Sequence, residues 1–109
     1  MKMTLYDIGE IGHETSMEKG FLRGAPTTIS DERDARMVLS YLALIHSEVS
    51  EAVEEARKGD VMAMGHELAD VILRVTQLCY TLQIPLDTMV QAKLEYNKTR
   101  PYKHGDKLA

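Results

Sequence analysis

Four carboxylates in this chain are spaced as metal ligands are. Glu48 and Glu51 lie three residues apart, and so do Glu67 and Asp70. If both stretches are helical, each pair shares one helix face. Between them, Arg57-Lys58-Gly59-Asp60 reads as a turn. Glu51 stands eight residues before Gly59 and Glu67 eight after it; Glu48 and Asp70 stand eleven before and eleven after. At ~1.5 Å of rise per residue the pairs come level when the helices fold back on each other. Packed axes ~8–10 Å apart let carboxylates from both sides meet. Acids gathered this way take up protons or are neutralised by a cation. Oxygen ligands suit Mg²⁺, with Mn²⁺ as the alternative. Such an ion keeps positions open for phosphate oxygens and lowers the pKa of a water placed for attack. Singly, each acid reads as part of a solvated helix face, as Glu54 and Glu55 do beside Arg57 and Lys58. The doubled spacing and the matched depth favour the metal reading for Glu48, Glu51, Glu67 and Asp70.

Other residues offer less to the same chemistry. His66-Glu67-Leu68-Ala69-Asp70 has half of the zinc-protease pattern H-E-x-x-H, but Asp70 stands where the second His is needed. His46 and His66 adjoin acids and read as helix-surface residues. Met37, Met62, Met64 and Met89 read as core filler. Cys79 is the one cysteine, so there is no intrachain disulfide and no Cys-based metal site. It lies on an apolar stripe and reads as inert. Lys93, Asn97 and Arg100 follow at steps of four and three, hence on one face. A triphosphate beside a metal needs such cations, and Arg offers a fork suited to phosphate. A solvated face with cations near a helix C-terminus explains the same row. Arg74 shares a face with Glu67 and Asp70 and reads as an ion-pair partner of the acids rather than a substrate ligand.

Helices must position these groups. A short helix is predicted from about Gly9 to Lys19, ended by Gly20, and Leu22–Asp31 reads as a loop because Gly24 and Pro26 break a helix. The next helix starts near Ser30 or Asp31, with acids at its positive end. Val38, Leu42, Ile45, Val49, Ala52 and Ala56 form its apolar stripe, and Gly59 ends it. Asp60 caps a third helix carrying Met64, Leu68, Val71, Ile72, Val75, Leu78, Cys79 and Leu82. A last helix runs from about Leu86 to Thr99 and Pro101 stops it. No segment alternates as a strand does. The expected fold is an all-α antiparallel helix bundle. The third helix is apolar nearly all round, more than a small domain can cover. The core is therefore expected to be completed by homo-oligomerisation, as a homodimer or homotetramer.

The totals agree with this reading. The 109 residues fit a single domain, with residues 1–30 as short helix and loop, 31–100 as the helical core and 101–109 as a polar tail. The formal charge of −4 argues against a nucleic-acid polymer as partner. The first residues do not read as a signal peptide, and no run approaches ~20 apolar residues, so no membrane partner is expected. A reduced, cytoplasmic setting is the default.

Ser47-Glu48-Val49-Ser50-Glu51 followed by Glu67-Leu68-Ala69-Asp70 resembles the signature of the MazG-like all-α nucleoside triphosphate pyrophosphohydrolases, E-E-x-x-E, a spacer, then E-x-x-D. Lys93, Asn97 and Arg100 match the K-x-x-x-N-x-x-R of the wider superfamily. The stretches around "IHSEVSEAVEEARKGD", "ELADVILRV" and "YNKTRPYKHG" are similar to a small single-domain branch, as is "MEKGF" at Met17–Phe21. The likeness covers most of the chain from about Met17. One departure is Ser47, where the signature carries its first Glu; a hydroxyl is no charged ligand, which bears on the number of metal ions. The resemblance implies Mg²⁺-dependent hydrolysis of a nucleoside triphosphate, more narrowly a deoxynucleoside triphosphate, to the monophosphate and pyrophosphate. Glu48, Glu51, Glu67 and Asp70 would hold metal. Glu48 and Glu51 are the catalytic candidates, with Glu51 taking the proton of the attacking water. Lys93, Asn97 and Arg100 would bind the phosphates, and the tail would close over the substrate. Phe21 reads as a core residue. The alternatives are a phosphoribosyl-ATP pyrophosphohydrolase, a non-catalytic nucleotide- or protein-binding helical module, and a structural oligomer with surface ion pairs.

Overall fold

Side chains placed at the helix ends decide where each helix begins. The computed structural model describes residues 2–20 and 24–101. Helix α1 spans Leu5–Glu18, α2 Glu32–Arg57, α3 Val61–Thr81 and α4 Leu86–Thr99. No strand is present among the described residues. Phe21 and the tail beyond Pro101 lie outside them.

Helix α1 starts at Leu5, ahead of the Gly9 start expected from sequence. The reason is a capping box. Thr4 Oγ1 accepts from the Asp7 amide at 3.0 Å, and Asp7 Oδ2 accepts from the Thr4 amide at 3.1 Å. Helix α2 is capped by Asp31, which accepts from the Asp34 amide at 2.8 Å. Ser30 instead donates its hydroxyl to Asp34 at 2.8 Å. Gly59, at φ 76°, makes the left-handed exit from α2, and Asp60 caps α3 through the Ala63 amide at 2.9 Å. Helix α4 has no side-chain cap. Its first-turn acid, Asp87, serves α1 instead and accepts from the amides of Leu5 and Tyr6 at 2.9 and 3.0 Å.

Helix α3 is the central element. It packs against α2 on one side and as extensively against α1 on another, while α4 touches α1 lightly. The α1–α3 seam is close and polar. Gly9 is buried where a Cβ would come within 2.3 Å of the Thr76 carbonyl oxygen. Gln77 Nε2 donates to Ser16 Oγ at 2.6 Å, and His13 Nδ1 meets Thr81 Oγ1 at 2.9 Å. The Tyr80 ring lies 5.2 Å from that of Tyr6 and 5.0 Å from that of His13.

The apolar stripes are only partly covered in one chain. Val38 and Ala52 are buried. Leu42, Val49, Leu68 and Ile72, expected inside, expose 43%, 44%, 45% and 50% of their surface. Among the described residues α4 meets α1, and these faces stay about half exposed.

Gly9→Ala should lower the melting temperature by an amount equivalent to ~1–3 kcal/mol, because the added methyl meets backbone. Gly12→Ala, whose Cβ would lie 3.5 Å from the Gln77 side chain, should be neutral or slightly stabilising. Equal thermal melts for the two variants would contradict the close crossing.

Candidate metal centre

Helix α2 carries Glu48 and Glu51, and α3 carries Glu67 and Asp70. One carboxylate oxygen from each of Glu48, Glu67 and Asp70 lies within 4.8 Å of the others. Oxygens on opposite sides of a six-coordinate Mg²⁺ are about 4 Å apart, given metal–oxygen distances of ~2.0–2.1 Å. A small inward turn of the side chains reaches that span. Glu51 stands outside this triplet and reaches it through Glu67.

Burial makes the arrangement informative. Glu48 is buried and accepts from Arg74 Nε at 3.1 Å, the ion pair expected for Arg74. Glu67 Oε2 is buried and has no hydrogen-bond partner. Its neighbours are carboxylates, which when ionised can only accept. A proton or a cation must fill the gap. The crowding favours the proton: the Glu67 pKa is pushed up from 4.5 to about 7. The largest cause is hydrogen bonding to Glu51, then to Glu48, followed by burial and by the repulsion of both charges. Hard oxygen donors, an unsatisfied buried oxygen and crowded negative charge fit a divalent cation.

The remaining candidates fall elsewhere. Ser47 is exposed and donates its hydroxyl to the Leu44 carbonyl at 3.0 Å, within its own helix. His46 and His66 are exposed and outside the triplet. Burial pushes the Cys79 thiol up, which keeps it protonated and inert. Lys93 and Asn97 are exposed on α4; Arg100 is exposed too but lies just past the helix end with extended backbone (φ −71°, ψ 144°), so it leaves the helical row that its spacing suggested. No side-chain hydrogen bond or ion pair joins them to the acids among the described residues.

The cleft beside Asp70 is a feature that residue spacing does not reveal. It measures ≈ 360 Å³ and is lined by Asp70, Leu73, Arg74 and Gln77 of α3, Tyr41 and Leu44 of α2, and Ser16 of α1. Recognising it required knowing that α1 packs on α3. The Thr4–Asp7 capping box and the spacing of Gly9 and Gly12 are the sequence signals for that packing.

The MazG nucleotide pyrophosphohydrolase domain model matches residues 36–103, more than half of the chain. The matched stretch includes all four acids and the Lys93–Arg100 row. No curated protein and no solved structure matches the chain.

Glu67 predicts an inverted pH response for the metal-free protein. Between its ordinary 4.5 and about 7, the folded state keeps a proton that the unfolded chain has released. This group's contribution to stability therefore falls as pH rises through that window. Glu67→Gln should flatten the fall and raise the melting temperature above pH 7, and Mg²⁺ should stabilise the unsubstituted protein most at the alkaline end. Melts indifferent to Glu67→Gln across the range would contradict the charge crowding.

Proposed function

The chain belongs to the MazG nucleotide pyrophosphohydrolase family, and from that premise we propose that it cleaves a nucleoside triphosphate, by preference a deoxynucleoside triphosphate, into the monophosphate and pyrophosphate. The observation that carries the reading is the carboxylate triplet with its buried, unpartnered Glu67 oxygen, inside the matched stretch. Glu48, Glu67 and Asp70 would hold Mg²⁺, or Mn²⁺ in its place, with Glu51 beside them. When bound, the ion supplies positive charge to the phosphate oxygens and acidifies water.

Hydrolysis adds one water across the α–β anhydride: one P–O bond forms, one breaks, and pyrophosphate leaves. Glu51 is the residue assigned to take the water's proton, being exposed and beside the cluster. Arg74 holds Glu48 in place. Lys93, Asn97 and Arg100 are assigned to the phosphates, where fixed positive charge stabilises the negative charge that develops.

We read the chain as a single domain whose α2–α3 hairpin is antiparallel and whose core is completed by further copies, as a dimer or tetramer. Two observations support this. Large apolar side chains are exposed along α2 and α3, and the radius of gyration, 16.7 Å, exceeds the ~13 Å of a compact chain near this length. Because α4 packs on α1, the cation row facing a given acid cluster is assigned to a second copy. No helix among the described residues is long and apolar enough to cross a membrane.

Pyrophosphate release from a nucleotide panel tests the activity. It should require Mg²⁺ and be abolished by Glu51→Gln or Asp70→Asn in folded protein. Metal-dependent binding without turnover would favour a binding module; turnover confined to phosphoribosyl-ATP would favour that rival. The shared site has its own test. Inactive Glu51→Gln and Arg100→Ala proteins, unfolded and refolded together, should recover turnover that neither shows alone. No recovery in a mixed oligomer would place the cation row and acids in one copy.

A further inference from the structure

The cleft beside Asp70 has the chemistry of a nucleoside site, and we infer that it receives the sugar and base of the substrate. The inference rests on the nucleotide reading above and adds which surface recognises the non-phosphate end. Asp70 belongs both to the carboxylate triplet and to the cleft wall. Arg74, bonded to Glu48, lines the cleft one turn further on. A molecule whose phosphates sit at the acids therefore has its other end directed along α3.

The walls suit a base. Tyr41, Leu44 and Leu73 offer aromatic and aliphatic surface, and a nucleobase presents a flat face to such surface. The cleft has a polar edge in Ser16 and Gln77. Gln77 Nε2 donates to Ser16 Oγ at 2.6 Å, which occupies an acceptor site on that oxygen and leaves the hydroxyl hydrogen free to be donated. Every nucleobase carries an acceptor on its edge that such a donor can meet. The volume, ≈ 360 Å³, falls within the ~300–1,000 Å³ of small-molecule sites. A smaller extension of ≈ 40 Å³ continues between Tyr41, Leu78 and Thr81. The part of the triplet facing this cleft is Asp70 alone, so the phosphates and the base need not compete for the same groups.

The discriminating probe is a ligand without a nucleoside. Calorimetric titrations with Mg²⁺ would compare inorganic tripolyphosphate with deoxynucleoside triphosphates carrying an unreactive α,β-imido bridge. The nucleotide should bind about tenfold more tightly or better, the scale of one base stacked on an aromatic ring. Leu73→Trp, which fills the cleft from a half-exposed position, and Tyr41→Ala should each remove that advantage while tripolyphosphate affinity stays where it was. Thermal melts would show that both variants fold. The cleft assignment is overturned if the nucleotide advantage survives both substitutions, or if tripolyphosphate binds as tightly as the nucleotides. If neither ligand binds with Mg²⁺, the acid-cluster reading falls and the cleft assignment with it.

Discussion

Like charges forced together organise this protein. Glu48, Glu67 and Asp70 bring their oxygens within 4.8 Å because α2 and α3 pack closely and the turn at Gly59 sets the two helices in register. The fold does not relieve the crowding with a full set of partners. Arg74 answers Glu48, while one Glu67 oxygen is left buried without a donor. An unsatisfied buried oxygen is costly. It persists where a bound species repays the cost, and the carboxylate-rich surroundings select a cation for that role.

Helix α3 carries this strain and is braced from two sides. Helix α2 supplies the facing acids. Helix α1 supplies no acid to the cluster but fixes α3 along a second face, through Gly9 against the Thr76 carbonyl and through Gln77, Thr81 and Tyr80. It also forms one wall of the cleft through Ser16. Asp87 links this arrangement to α4 by binding the first amides of α1, so the start of one helix is held by the first turn of another.

Much of this could be read in advance where local chemistry decides the outcome. Asp60 and Gly59 fixed the α2–α3 turn, and Pro101 marked the end of α4. The matched depth of the acids followed from residue counting alone, and Arg74 paired as its face suggested. The failures have a common cause in tertiary arrangement. Leu42, Val49, Leu68 and Ile72 have the periodicity of buried residues, but periodicity does not say whether a neighbouring helix comes close enough to cover them. The row of Lys93, Asn97 and Arg100 assumed one continuous helix, but α4 ends at Thr99 and leaves Arg100 on extended backbone; nor does spacing within α4 say where that helix lies relative to α2. The early start of α1 was hidden because Thr4 and Asp7 precede any apolar stripe strong enough to announce a helix.

The α1–α3 seam has a further consequence for motion. It joins a glycine contact, hydroxyls, an amide and an imidazole to the tilted rings of Tyr6 and Tyr80. Water can satisfy those polar groups once they separate, so the ring contacts of Tyr80 carry most of what parting the seam forfeits. Elements held this way open at lower free energy than the whole molecule unfolds. Helix α1 is thus the natural site of local breathing. Since Ser16 rides on it, each such excursion widens the cleft beside Asp70, while Glu48 and Glu67 stand outside that cleft's wall.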